Sequence, residues 1–125
     1  MQKISVCIDV SEMGPAIQFY TKALDCKLVT SSDNQAELSA NGLTIYLLER
    51  AGGTNPLSRG DAMRNYERHW TPVHLDITVS SLDKSVTAIT QLGGTVEESQ
   101  SGDWGSIAFC ADPFGNGFCV MQMNA

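Results

Sequence analysis

The sequence lacks what several large functional classes require. Its longest apolar stretches, such as Ile45–Leu48 and Ile107–Ala111, fall far short of the roughly 20 residues that span a bilayer, so no membrane role is expected. No basic stretch followed by an apolar run and a small-residue cleavage site opens the chain, which predicts a cytoplasmic protein. Positive charge is scarce: eight Lys and Arg stand against fourteen Asp and Glu, for a net charge of −6. That balance opposes a phosphate backbone, and nucleic acid is not an expected partner. The local exception is residues 50–68, where Arg50, Arg59, Arg64 and Arg68 outnumber Asp61 and Glu67. The four cysteines, Cys7, Cys26, Cys110 and Cys119, form no C-x-x-C pair. Neither a zinc ribbon nor a thioredoxin-like site is expected, and in the cytoplasm the four are reduced thiols.

What is present is enough for one core. A chain of 125 residues with 42% hydrophobic and 18% charged residues reads as a single globular domain, 1–125. Within it the sequence repeats. Ile8-Asp9-Val10-Ser11 falls on Ile77-Thr78-Val79-Ser80 at a shift of 69 residues; Met13 then falls on Leu82, Ile17 on Val86 and Tyr20 on Ile89. After a one-residue deletion Leu24 falls on Leu92 and Leu28 on Val96, and Ile45–Leu48 aligns with Phe118–Met121. Each half opens with period-2 alternation, Ile4, Val6, Ile8 and Val10 or Val73, Leu75, Ile77 and Val79, as in a strand with one buried face.

A helical stripe follows in both halves: Ile17, Tyr20 and Leu24, then Leu82, Val86, Ile89 and Leu92. Pro15 sits near the start of the first helix; Ser81 is the expected N-cap of the second, and Gly93-Gly94 its stop. Shorter strands are expected near 27–31, 36–40 and 43–49, and again near 95–99, 106–110 and 117–123. The chain therefore reads as an α+β protein of two β-α-β-β-β modules, 1–50 and 72–125. The connection, 51–71, is a candidate lid or partner contact with a short helix near Asp61–Glu67.

Because side chains alternate across a strand, burying the apolar set turns Ser5, Cys7 and Asp9 to the other face in the first half, and His74, Asp76 and Thr78 in the second. Tyr46 and Leu48, and Cys119 and Met121, take the same face on the closing strands. Curled sheets with outer helices would then line one cavity of mixed polarity, the form of a small-molecule site.

The duplication, the helix segment Phe19-Tyr20-Thr21-Lys22-Ala23-Leu24, the start His74-Leu75-Asp76-Ile77-Thr78-Val79 and the turn Asp112-Pro113-Phe114-Gly115-Asn116-Gly117 together resemble the vicinal oxygen chelate superfamily. That superfamily includes glyoxalase I, fosfomycin and bleomycin resistance proteins and extradiol dioxygenases. The resemblance implies twofold dimers that complete their cavities across the interface. It also implies a divalent metal held by one side chain from each of four strands, at positions that fall here on Ser5, Tyr46, His74 and Cys119. Only His74 matches the usual His or Glu set, and hydroxyls are poor ligands for such an ion at neutral pH. The quartet falls short of the three protein ligands of a catalytic zinc, so no cofactor is expected, a divalent metal is disfavoured, and His74 is its one weak candidate.

The leading expectation is a small-molecule-binding protein of the glyoxalase/bleomycin-resistance type, working as a homodimer without a bound metal. The ligand would rest on Ser5, Cys7, Tyr46, Leu48, Cys119 and Met121, with Arg68, Trp70 and Trp104 as guanidinium and indole contacts. The alternative is a lyase or isomerase in which His74 and Asp76 move a proton beside a carbonyl, with or without a divalent metal. A third reading is a regulatory or assembly module with a vestigial cavity.

Overall fold

In a computed structural model, which describes residues 1–124, the alternating segments form strands and the 3.6-period segments form helices, in the same order twice. The first module comprises β1 (Ser5–Val10), α1 (Met13–Gln18), β2 (Lys27–Ser31), β3 (Gln35–Ala40) and β4 (Leu43–Glu49). The second comprises β5 (Leu75–Thr78), α2 (Leu82–Gln91), β6 (Thr95–Gly102), β7 (Gly105–Ala111) and β8 (Gly117–Met123). Ala125, assigned to the second module from the sequence, lies outside the described residues.

Register confirms the duplication more strongly than residue identity does. The sheets are ordered β1-β4-β3-β2 and β5-β8-β7-β6. The edge pairs β1·β4 and β5·β8 are parallel, and the remaining pairs are antiparallel. A bulge falls between Leu28 and Thr30 in one sheet and between Val96 and Glu98 in the other, at positions the sequence repeat equates. Each helix also starts in the same way. The Met13 N–H donates to Glu49 Oε1 and the Leu82 N–H to Gln122 Oε1, both at 2.7 Å, so a closing-strand side chain satisfies one of the free donors of the first turn. After the first helix Asp25 takes the left-handed conformation (φ 56°) that Gly93 takes after the second (φ 95°).

The helices lie between the sheets, which corrects the expectation that they lie outside. Leu38, Ile45 and Leu47 of the first sheet and Ala108, Phe118 and Val120 of the second belong to one core with Phe19 and Ile89. Phe19 sits at its centre. Its ring meets Phe118 edge-on at 6.0 Å, and a Cβ on Gly94 would come within 2.7 Å of it. The chain after α1 widens into a π-helical stretch, Phe19–Ala23, which buries Phe19, Tyr20 and Ala23 together.

Three further expectations change. Ile4 and Val73, expected in the core, are 70% and 86% exposed because both strands begin one or two residues later. No helix forms over 61–67: this segment stays irregular and is tied down by side chains instead. Arg64 Nε pairs with Asp9 Oδ2 at 2.8 Å, and Tyr66 Oη donates to the Arg50 carbonyl at 2.7 Å. Among the described residues no helix is long and apolar enough to cross a membrane.

Candidate functional site

The parallel pairing of β5 with β8 sets Asp76 opposite Cys119, and His74 lies on the same face two residues before Asp76. The ligand-capable atoms of all three lie within 4.8 Å of one another. His74 Nδ1 lies 3.1 Å from Asp76 Oδ1 but outside hydrogen-bonding alignment, so this buried ring nitrogen has no hydrogen-bond partner. Cys119 is buried. Burial raises its thiol pKa, the Asp76 carboxylate raises it further, and Arg68 opposes the shift. The thiol therefore stays protonated at neutral pH and is no nucleophile there.

The connection between the modules passes over this cluster. Arg68 makes a two-pronged ion pair with Glu97 on β6, Nε to Oε2 at 2.7 Å and Nη2 to Oε1 at 2.9 Å, and also donates to the His69 carbonyl. The Glu97 hydrogen bonds raise the Arg68 pKa, and those same bonds hold the Glu97 carboxyl below its ordinary value. The guanidinium stands 5.6 Å from the Trp70 ring centroid, and Trp70 lies against His74 with ring centroids 4.9 Å apart.

Two glycines of the Asp112–Gly117 turn make room for this strap. Gly115 has φ 83°, and a Cβ there would lie 2.6 Å from the Tyr66 carbonyl oxygen. At Gly117 it would lie 2.8 Å from the Arg68 guanidinium. Asp112 holds the turn itself: Oδ1 accepts from the Phe114 and Asn116 N–H groups, and Oδ2 accepts from Tyr20 Oη at 2.6 Å and from Asn116 Nδ2. Burial, then Asp112, raises the Tyr20 pKa, so the phenol remains a donor.

The residues singled out from the sequence separate into two groups. His74, Asp76, Cys119, Arg68 and Trp70 come together, and Met121 lies two residues along β8 on the same face. Ser5, Tyr46 and Leu48 lie on the outer face of the first sheet, across the shared core, with Ser5 opposite Thr44 and Cys7 opposite Tyr46. One chain therefore does not bring Ser5 and Tyr46 to His74 and Cys119. Cys7 does share a cleft with His74, a 540 Å³ space between the unpaired edges of β1 and β5 floored by Tyr20 and Leu24. A larger cleft of 660 Å³ at the other end of β5 is lined by Asp76 but by neither His74 nor Cys119, so the smaller one is nearer the chemistry. Trp104 sits in the β6–β7 turn, its ring packed over Gly102, apart from the cluster. Glu97 was missed, because nothing in the sequence links it to an arginine 29 residues away.

A glyoxalase-like domain model matches residues 5–121. The chain belongs to the glyoxalase-like domain family. Among solved structures it is similar to the fosfomycin resistance protein FosX from Listeria monocytogenes, with TM-score 0.73 and 15% identity over 99% of this chain and 94% of that one. It is similar to a glyoxylase/bleomycin resistance protein/dioxygenase domain from Frankia sp. EAN1pec (TM-score 0.67, 20% identity, 99% of each chain). It is also similar to lactoylglutathione lyase from Agrobacterium tumefaciens (TM-score 0.65, 12% identity, 97% and 92%). Among curated proteins none matches the sequence. The vicinal oxygen chelate fold read from the sequence is the fold of this protein.

The family's metal can be tested against the residues present. Counted over Ser5, Tyr46, His74 and Cys119, the donors are too few. The cluster changes that count, because Asp76 supplies an oxygen beside the His74 nitrogen and the Cys119 sulfur. One nitrogen, one oxygen and one sulfur suit a borderline-soft ion such as zinc, and the partnerless Nδ1 gives it an available donor. The residues fit the group.

Proposed function

We propose that this domain binds a small molecule on the outer face of its second sheet, in a cavity that a second copy completes. The observation that carries this is the convergence of His74, Asp76 and Cys119 beneath Trp70 beside an unpaired strand edge. Apolar and aromatic surface from Trp70 and Met121 would supply affinity, and His74 and Asp76 would orient the ligand.

The second copy follows from the repeat. Both β1 and β5 are free edges, and each is preceded by an exposed apolar residue at equivalent positions, Ile4 and Val73. A twofold axis would set β1 of each copy against β5 of the other, bringing the Cys7–Tyr46 wall of one chain to face the His74–Cys119 wall of the other.

A thermal-shift panel of aromatic cations, thiol conjugates and organic acids, run on wild type and His74→Ala, tests the reading. A binder raises the wild-type midpoint and loses much of that effect in the variant, while the unliganded midpoints stay close. No shift across the panel, or an equal shift in both proteins, refutes it.

The 3.1 Å approach of His74 to Asp76 favours a second reading, a lyase or isomerase. The likeness to lactoylglutathione lyase is the reason thiol conjugates are on the panel. In such an enzyme the carboxylate would orient the imidazole, and the ring would move a proton beside the substrate carbonyl. A divalent ion on His74, Asp76 and Cys119 would polarise that carbonyl as a Lewis acid.

A further inference from the structure

We propose that the ligand of the second sheet is an organic cation with a long apolar tail, an alkyl or arylalkyl ammonium, whose head sits against His74 and Asp76 and whose tail runs along the sheet to Trp104. This names the ligand class for the small-molecule reading above and rests on it. The head end offers acceptors without donors. His74 Nδ1 is buried without a partner although Asp76 Oδ1 lies 3.1 Å away, and Asp76 has no Lys or Arg partner among the described residues. An ammonium donates to the ring nitrogen and to the carboxylate, with the Trp70 ring beside it. A second carboxylate, Glu98, lies on the same face, opposite Phe109, which is itself opposite Cys119. The Arg68 guanidinium does not offset them, because Glu97 already takes two of its prongs. An anionic head would therefore meet two carboxylates and an occupied arginine.

The tail follows from what else that face carries. Alternation puts Met121 and Met123 on the side of Cys119, and the register sets Phe109 beside Cys119 and Ile107 beside Met121. None of these four apolar residues packs into the core. At the matched points the first sheet has Glu37 beside Tyr46 and Gln35 beside Leu48, so only the second sheet has an apolar outer strip. Gly102, opposite Gly105, continues that face beyond Ile107, and a Cβ on it would lie 3.0 Å from Trp104 Nε1. The Trp104 indole, 42% exposed, therefore closes the far end of the strip although it stands apart from the His74 cluster. Along β8, Cys119 to Met123 spans about 13 Å at roughly 3.3 Å per residue. A short compact ligand would leave most of that apolar surface wet.

The full chain is titrated calorimetrically with hexylamine, octylamine and decylamine, and with decanoate and 1-decanol as matched tails, each below its micelle concentration. One amine per chain is expected, with affinity rising about threefold to fourfold for each added methylene. Decylamine should bind at least about tenfold more tightly than decanol or decanoate. Asp76→Asn, at a side chain 52% exposed and so safe for folding, removes that preference and leaves decanol unchanged. Trp104→Ala weakens decylamine several-fold and leaves hexylamine unchanged, and Trp104→Phe restores the loss. Decanoate bound as tightly as decylamine, affinity flat with tail length, no amine bound, or wild-type decylamine affinity in Asp76→Asn or Trp104→Ala overturns the proposal. An organic acid that raises the wild-type thermal midpoint but not that of His74→Ala, with no amine bound, refutes the cation and leaves small-molecule binding standing. Silence of the amines and of the whole panel removes both.

Discussion

The two modules share strand order, register, bulge position and helix-start hydrogen bond, yet they present different chemistry at matched points. Where the first sheet carries Ser5, Cys7 and Tyr46, the second carries His74, Asp76 and Cys119. The second also has a cover: Arg68 and Trp70 reach it along the strap, held by Glu97 and seated on Gly115 and Gly117. Duplication preserved everything the backbone needs and left the outward side chains free to diverge. The scaffold is therefore symmetric and the site is not.

The largest perturbation should show that the modules do not stand alone. Phe19 comes from the first module but packs against Phe118 and beneath Gly94 of the second, so Phe19→Ala should cost about 3–5 kcal/mol. Denaturant unfolding followed by both fluorescence and circular dichroism should remain one transition. Two separated transitions would break the single core into independent halves.

Alkaline pH probes both halves at once. Burial pushes the thiols of Cys26, in the first module, and Cys110, in the second, up to about 11. A raised native pKa means that the unfolded thiols ionise first as pH climbs. The stabilisation is complete below the ordinary thiol value of 9.0 and is lost as pH rises through about 11. Tyr20, raised well above its ordinary value, acts in the same direction. The urea midpoint should fall steadily over that interval; a flat profile would contradict the burial assigned to these groups.

Smaller effects sharpen the asymmetry. Gly117→Ala would drive a methyl into the Arg68 guanidinium, costing about 1–3 kcal/mol and lifting the strap, which faster reaction of Cys119 with a thiol reagent would report. Ser81 caps α2 by accepting from the Lys84 N–H, whereas Glu12 at the matching position of α1 makes no side-chain cap. Ser81→Ala should cost about 1 kcal/mol in thermal unfolding, and Glu12→Ala clearly less.

The fold was legible because period and spacing are backbone properties. Alternation at Val6, Ile8 and Val10, the Leu82–Leu92 stripe and the 69-residue shift needed no tertiary knowledge. The site was legible only where it is local: His74 and Asp76 are two residues apart on one strand, and Cys119 was placed by the repeat. The donor count missed that β5–β8 pairing brings the Asp76 carboxylate to Cys119, because strand register is not written in either segment. The layering was also hidden. Alternation says which residues share a face but not whether that face meets a helix, a cavity or the other sheet, so Ser5 and Tyr46 were grouped with residues that lie across the core. The strap escaped because its 61–67 segment has no period, and its order comes from Arg64–Asp9 and Arg68–Glu97 contacts far apart in the chain.

The most direct test sets matched residues of the two modules side by side. Ser5→Ala and His74→Ala are titrated with any compound that raises the wild-type midpoint in the thermal-shift panel. Retention of most of the shift in Ser5→Ala with its loss in His74→Ala is the predicted result; a full shift in His74→Ala, or loss in Ser5→Ala alone, would contradict a site whose orienting groups come from the second module.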